Sequence, residues 1–425
     1  MFCSIYQGRP PNIIMNAKSD QPQLICIVKE DDEILGYLVV DTFVEGRSHG
    51  GIRIHQDVSE TEIRLLANTM TWKDAFLGLP FGGAKAGVLG DPDAPTAVRR
   101  EKLNRFGRAI EPLLSKELFV PAADMGTNLS DIREMLAAAG IAYQRNRLPE
   151  VSSGLYTAHS VFAGVRALAK SQGRSLQGLS AVIDGFGKVG SELARLLDQH
   201  GVQIVAVTTS RGALYNPGGL DIANLRSEYK QSGSGFVLNS QEGKMIDREL
   251  LWKKSFDVLC PCAQILSIDE PLARTIQASI VCPAANHPWS LEVERIFNTR
   301  GIVYWPEFAV NNGGILGTAM TYMAFSHEEI VGFMEVEYGC IFKALLDAAV
   351  ERDLGIRGVC EEFARQHQWR ADAGTRSKIL SVFNELGLGM HRRGFVPGFL
   401  VRWYARGYFR SKLRFELPSG SGSSS

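Results

Sequence analysis

The sequence predicts a two-domain α/β fold, and three observations carry that prediction. The chain has 425 residues, of which 45% are apolar and 22% charged, the length and balance of globular domains with sizeable cores. Residues 179–207, LSAVIDGFGKVGSELARLLDQHGVQIVAV, read as strand, glycine turn, helix, Gly201 and strand again. That is a βαβ unit, and it implies a parallel sheet. Before about residue 150 strand-like and helical stretches mix without this pattern, so a separate N-terminal α/β domain precedes it.

The elements follow in order. ILGYLVVDTF, at 34–43, is a short apolar run rich in β-formers and reads as a buried strand. SETEIRLLANTMTWKDAF, at 59–76, reads as a helix: Ser59 and Glu62 form a capping-box pattern, and Ile63, Leu66, Ala67 and Met70 share one face. This helix delivers Lys73 just before a glycine-rich stretch. FDVLCPCA (256–263) and ASIVCPAAN (278–286) read as later strands of the βαβ sheet, which closes the second domain at 151–309. From about residue 310 the text turns helical, through EEIVGFMEVEYGCIFKALLDAAVE, and these helices (about 310–370) are expected to complete the N-terminal domain of residues 1–150. Residues 371–425 form a basic, aromatic arm with a flexible Gly/Ser end. In it Arg392, Arg393, Arg402, Arg406, Arg410, Lys412 and Arg414 alternate with Phe395, Phe399, Trp403, Tyr404, Tyr408, Phe409 and Phe415. Such an arm packs on its own domain or a neighbouring subunit, or lies on a membrane surface. The first is the plainer reading.

Bulk properties remove several classes of function. Lys+Arg and Asp+Glu stand at 46 each, so net charge makes no case for a nucleic-acid partner. No apolar run approaches the ~20 residues of a transmembrane helix. The 7 cysteines lack disulfide-like spacing. With no charged-then-apolar leader, they predict a reduced, cytoplasmic setting. Cys260-Pro-Cys262 has neither C-x-x-C spacing nor a second pair, so it reads as buried thiols, and no metal site is predicted.

Gly185-Phe186-Gly187-Lys188-Val189-Gly190 fits G-x-G-x-x-G between a strand and a helix, the context a dinucleotide site requires. The first glycine makes the turn, the second admits the pyrophosphate, and the third lets helix and strand pack closely. Free N–H groups at the helix start then face the phosphates. The domain at 151–309 is therefore Rossmann-type. Its second strand ends in Thr208, Thr209, Ser210 and Arg211, where an NAD site usually has an acid for the ribose 2′-hydroxyl. Hydroxyls and a guanidinium suit a 2′-phosphate, so NADP is expected ahead of NAD.

LPFGGAKAGVLGDP, at 79–92, sets Lys85 among glycines and small residues. It fails as a phosphate loop, because the lysine falls one place late and the Mg²⁺-binding hydroxyl is absent. Lys73, Lys85 and, in VPAADMGTN, Asp124 all lie upstream of the βαβ unit. Taken singly, each is an ordinary charged side chain. Together they suit one reaction: a cation for an α-carboxylate, a lysine of lowered pKa for acid–base work at an imine carbon, and an aspartate for protons on nitrogen.

GGIRIHQDV (50–58), MTWKDAFLGLPFGGAKAGV (70–88), VPAADMGTN (120–128), VIDGFGKVG (182–190) and NNGGILGT (311–318) come in an order and at distances that resemble the Glu/Leu/Phe/Val dehydrogenase family, nearest its glutamate branch. The resemblance spans about residues 25–365. It implies a substrate-binding and oligomerisation domain joined to the Rossmann domain, with the catalytic cleft between them. It also implies reversible oxidative deamination of an L-amino acid to a 2-oxo acid and ammonia, with NADP or NAD, in a homo-oligomer, a hexamer or dimer. By the same resemblance Lys85 and Asp124 are catalytic, Lys73 binds the α-carboxylate, and His49, Met70 and Thr318 line the substrate pocket. Thr157 and Asn286 fall near the nicotinamide.

Two departures stand out. Glutamate enzymes usually carry a lysine just before GGIR, which pairs with the substrate's distal carboxylate; here the residue is His49. Thr318 replaces a pocket serine. The branches that take apolar amino acids have an aliphatic residue at the lysine's place, and His49 is not that either. Glutamate is the first substrate expected, another amino acid the second, and a non-catalytic NADP(H) or amino-acid sensor the third.

Overall fold

The computed structural model describes residues 3–5, 21–141, 151, 153–352, 354–372 and 397–414. They form two compact units.

The first unit holds the described residues up to Ile141 and those from Ala364 to Asp372. Its elements are β1 (Cys3–Ile5), β2 (Leu24–Glu30), β3 (Glu33–Val40), β4 (Ser48–His55), α1 (Glu60–Phe76), β5 (Gly82–Leu89), α2 (Thr96–Ala109), α3 (Glu111–Ser115), β6 (Phe119–Ala123) and α4 (Leu129–Ala138). The strands make one six-stranded sheet in the order β1-β2-β3-β5-β4-β6. β3 runs antiparallel to β5, whereas β5, β4 and β6 are mutually parallel.

Strand periodicity sorts the residues of β4 and β5 onto two faces. Ile52 and Ile54 with Ala84, Ala86 and Val88 enter the core beneath Leu103 and Phe106 of α2 and Ile132 and Met135 of α4. The other face carries His49, Gly51 and Arg53 on β4 and Gly83, Lys85 and Gly87 on β5, and α1 covers it. A Cβ at Gly83 would fall 2.1 Å from the Thr71 backbone nitrogen, and one at Gly87 2.5 Å from Val58 Cγ1. The glycines thus let a helix settle on the strand with only Lys85 between them. Ser59 caps α1 by accepting the Glu62 N–H at 3.2 Å. The predicted capping box stays half closed, because the Glu62 carboxylate turns to Arg53 instead.

The second unit takes the described residues from Val151 to Phe363 and from Pro397 to Arg414. Its elements are α5 (Ser153–Ser171), β7 (Ser180–Asp184), α6 (Lys188–Gln199), β8 (Gln203–Thr209), β9 (Gly212–Tyr215), α7 (Ile222–Ser232), β10 (Lys244–Ile246), α8 (Arg248–Trp252), β11 (Val258–Pro261), α9 (Glu270–Thr275), β12 (Ile280–Val281), α10 (Leu291–Thr299), β13 (Val303–Tyr304), α11 (Glu307–Val310), α12 (Gly313–Tyr322), α13 (His327–Phe333), α14 (Gly339–Glu351), α15 (Ile356–Asp372) and α16 (Gly398–Lys412). The sheet order is β10-β9-β8-β7-β11-β12-β13. The five strands from β8 to β13 in that order are parallel, including the two read from the cysteine segments. β9 and β10 break the expected parallel pattern and run antiparallel. Only Ser210 and Arg211 link β8 to β9, too short a connection for a parallel crossover. β7 lies between β8 and β11, so the chain leaves its two sides in opposite directions, the switch point where such sheets bind ligands.

Residues 310–363 do not complete the N-terminal domain as expected. They pack on α5, within the second unit, and only from Ala364 does α15 join the first. The cause is glycine spacing on α12: a Cβ at Gly313 would fall 2.3 Å from the Tyr156 carbonyl, and one at Gly317 2.2 Å from the Tyr156 ring. At these two glycines α12 therefore packs closely on α5, against backbone at Gly313 and against the Tyr156 ring at Gly317. The arm's described helix, α16, also rests on its own unit. Phe409 is buried against Phe325 and Phe333, and Arg410 pairs with Glu337 at 2.6 Å. The rest of the arm, with Arg392, Arg393, Phe395 and Phe415, lies outside the described residues. Among the described residues no helix is long and apolar enough to cross a membrane. Cys260 is a buried free thiol and Cys262 a half-buried one.

Candidate active site

In the first unit, the sheet face under α1 gathers the predicted catalytic residues. Lys85 Nζ lies 2.9 Å from Asp124 Oδ2, and the same oxygen accepts from Arg53 Nε at 2.9 Å. Arg53 in turn pairs with Glu62 at the start of α1. Gly51 makes the room: a Cβ there would fall 2.8 Å from Asp124 Cβ and 3.1 Å from Lys85 Nζ. Asp124 follows the end of β6, where Thr127 holds the turn by accepting the Asp124 N–H and donating to the Ile52 carbonyl.

The electrostatics follow from burial. Lys85 is 3% exposed, and loss of water pushes its ammonium pKa down, with Arg53 adding to the push and Asp124 resisting it. Burial pushes the Asp124 carboxyl up, but Lys85 and Arg53 outweigh it and hold the group well below the usual carboxylate range. The resting pair is therefore an ammonium whose proton is loosely held beside a firmly ionised carboxylate.

Lys73 and Met70 are buried on α1, three residues apart and so on one helical face. His49 sits on β4, two residues before Gly51, with its Nδ1 3.6 Å from Asp74 Oδ2. His49, Met70, Lys73, Lys85 and Asp124 are thus brought together in one unit. Thr318 belongs to the other, on α12, where its hydroxyl donates to the Gly314 carbonyl at 2.7 Å.

The second unit builds the dinucleotide turn. Gly185 has φ +113°, a backbone conformation that suits glycine. A Cβ at Gly190 would strike the Gly185 carbonyl at 1.9 Å, so this glycine seats α6 on the turn. Gly187 differs from both: a Cβ there would meet nothing within 4 Å. It begins the 12-residue α6 with no side-chain cap, which leaves the helix N–H groups facing open space suited to a pyrophosphate. Phe186 is buried beside Tyr229 and Phe236, and its N–H donates to the Thr208 carbonyl at 2.7 Å. Lys188 is exposed and Val189 half-buried on the first turn of the helix.

At the end of β8 the structure corrects the sequence reading. Thr209 is no free phosphate ligand, because its hydroxyl donates to the Ser234 carbonyl and accepts the Arg211 N–H, each at 3.0 Å. Thr208 is spent as well, on Asp184 at 2.7 Å. Only the Arg211 N–H bond lies within the two-residue hairpin; the bonds to Ser234 and Asp184 tie it to other segments. Ser210 and Arg211, at its tip, are exposed. Thr157, one turn into α5, donates to the Ser153 carbonyl at 3.0 Å, and Asn286 accepts from Asn311 Nδ2 at 3.2 Å.

The Glutamate/Leucine/Phenylalanine/Valine dehydrogenase model matches residues 154–372, and the model of the Glu/Leu/Phe/Val dehydrogenase dimerisation domain matches residues 23–139. The chain belongs to the Glu/Leu/Phe/Val dehydrogenase family. It is 33% identical over 296 residues to the catabolic NAD-specific glutamate dehydrogenase RocG of Bacillus subtilis (strain 168), covering 66% of this chain and 68% of that protein. It is 31% identical over 340 residues to the NAD-specific glutamate dehydrogenase of Staphylococcus aureus (strain COL), covering 76% and 81%. The fold is similar to that of a hetero-hexameric glutamate dehydrogenase from Thermus thermophilus (TM-score 0.70, 24% identity, 84% and 90% covered). It also resembles an L-tryptophan dehydrogenase from Nostoc punctiforme (TM-score 0.57, 21% identity, 83% and 97% covered).

Sequence reasoning missed three residues in this member of the dehydrogenase family. Arg53 was signalled by its place two residues beyond Gly51 on an alternating strand, which puts it on the face of Lys85. Glu62 carried a competing signal, its fit to the capping box. Asp74 had no signal beyond standing next to Lys73.

Proposed function

We propose that this family member is an amino-acid dehydrogenase that interconverts an L-amino acid with its 2-oxo acid and ammonia, with glutamate as the substrate. The observation that carries the chemistry is the Lys85–Asp124–Arg53 cluster. The two NAD-specific relatives support glutamate, and the dimerisation-domain match and the hexameric structural neighbour support assembly into a homo-oligomer.

A nicotinamide dinucleotide, seated on Gly187 and the start of α6, supplies the hydride acceptor or donor. Lys73 binds the substrate α-carboxylate with its ammonium. Lys85, its pKa lowered by burial, gives up its proton and draws one from the water that attacks the imine carbon. Asp124 is ionised at rest beside Lys85 and Arg53; when Lys85 loses its charge the larger of these two pulls is gone, and burial lets the carboxylate accept and return the proton of the amino nitrogen. Arg53 keeps Asp124 oriented while Lys85 changes charge. Thr157 and Asn286 orient the nicotinamide end, and Thr318 offers a hydroxyl to the substrate.

At the ribose, Arg211 and the lack of an acid at the end of β8 favour a 2′-phosphate, through Ser210 and Arg211 alone. The test is loss of NADPH and of NADH with ammonium and a panel of 2-oxo acids. Ammonium-dependent turnover with 2-oxoglutarate ahead of the others is expected. Turnover only with another 2-oxo acid would remove glutamate, and dinucleotide binding without turnover would leave a sensor.

A further inference from the structure

Asp74 is fully buried on α1, and neither of its carboxylate oxygens has a hydrogen-bond partner. An ionised carboxylate sealed from water without donors costs several kcal/mol, so such a group either takes up a proton or stands against a cation. Burial raises its pKa, and His49 and then Lys73 pull it back. Lys73 is its immediate neighbour in the helix, and adjacent helical residues do not face each other. His49 does face it, at 3.6 Å, and His49 Nδ1 is itself without a hydrogen bond. A movement of under about 1 Å would close that gap to hydrogen-bond range.

The remaining surroundings of His49 are defined. Its ring lies 5.9 Å from that of Phe81, whose other contact is the Arg47 guanidinium at 5.0 Å, and Arg47 pairs with Glu117 at 2.8 Å. The charged groups around the imidazole are thus Asp74 and Lys73 from α1 and Arg47 beyond Phe81. The imidazole side chain is 22% exposed, whereas that of Asp74 is 0%. A ligand therefore meets the imidazole and never the carboxylate behind it.

We propose that Asp74 is the positioning residue for His49, and that the two form an aspartate-backed imidazolium that receives the distal carboxylate of an acidic substrate. The inference rests on the dehydrogenase reading above. With Nδ1–H directed to Asp74 and the ring protonated, Nε2–H is left as the outward donor. The pair has no net charge, yet turns its positive end to the substrate. It thus offers at His49 what a lysine would offer as a lone ammonium. A cationic side chain gains nothing at this end of the site, because the anion behind the imidazole is sealed.

The experiment compares kcat and KM for 2-oxoglutarate and for the uncharged-tailed 2-oxovalerate, from pH 6 to 9, in the wild type, Asp74→Asn and His49→Lys, with Tm as a check on folding. In the wild type, KM for 2-oxoglutarate should rise with pH while that for 2-oxovalerate stays level. Asp74→Asn should lower the kcat/KM ratio of 2-oxoglutarate to 2-oxovalerate about tenfold, through KM, and flatten the pH dependence. His49→Lys should keep 2-oxoglutarate and lose the pH dependence over the same range. An unchanged ratio and pH profile in Asp74→Asn overturns the pairing while the dehydrogenase reading stands. Absence of ammonium-dependent turnover with any 2-oxo acid overturns both.

Discussion

Two glycine-rich stretches of this chain look alike on paper and do opposite things. In Gly82-Gly83-Ala84-Lys85-Ala86-Gly87 the missing side chains are replaced by protein: the Thr71 backbone and Val58 occupy the places where Gly83 and Gly87 would carry a Cβ. In Gly185–Gly190 the middle glycine faces open space. The first arrangement drives water from a lysine, and the second keeps a place for phosphate. The lesson is that a glycine reports a close neighbour without saying whether that neighbour is protein or ligand. What tells them apart is the element: a strand covered by a helix in one case, an uncapped helix start at a switch point in the other.

That difference can be broken experimentally. The largest effect is expected at the chemistry. Asp124→Asn should lower kcat roughly 10³-fold, as loss of a positioned proton carrier does. It should also leave Lys85 without the partner that opposes deprotonation, so any residual activity should titrate at lower pH than in the wild type. Next come the glycines themselves. Gly83→Ala forces a Cβ against backbone that cannot rotate away, and should cost about 3 kcal/mol, read as a fall in Tm. Gly187→Ala should leave Tm within a degree or so, because its Cβ meets nothing. It should raise the dinucleotide Kd by tenfold or more. Equal thermal effects of the two substitutions would erase the distinction. The smallest effect is at the hairpin tip: Arg211→Ala should weaken NADP about tenfold and NAD little, as measured by their KM values, in keeping with loss of one charge-assisted contact.

Acid should test the same cluster through stability. Asp124 is held below its unfolded pKa, so its ion pairs stabilise the fold at neutral pH, fully above the ordinary carboxylate range near pH ~4. That contribution is lost only as the pH falls through the depressed value, so Asp124→Asn should flatten the acid limb of a Tm-against-pH curve.

Much of this was legible because it is local. The α1 periodicity, the βαβ unit and the glycine fingerprint each lie within one window, and the structure has all of them. What was missed is set by distant pairing. Arg53 meets Asp124 across 71 positions, and Glu62 abandons its cap for that arginine. No local propensity records such a choice. Thr209 was misread because its hydroxyl bonds the Ser234 carbonyl, 25 residues away, as well as the hairpin's own backbone. The helices after residue 310 were assigned to the wrong unit because their seat, Tyr156 on α5, is more than 150 residues earlier. Lys73, Lys85 and Asp124 could be singled out despite this, since their residue types suggest a shared task even when their contacts cannot be read.

The central claim is that packing α1 on the glycines around Lys85 makes it the acid–base residue. The direct measurement is pre-steady-state and steady-state turnover of Lys85→Ala with 2-oxoglutarate, ammonium and NADPH, alongside the dinucleotide Kd. The account predicts a kcat lower by about 10³-fold or more with Kd unchanged within twofold. A variant that keeps near-normal kcat would contradict it.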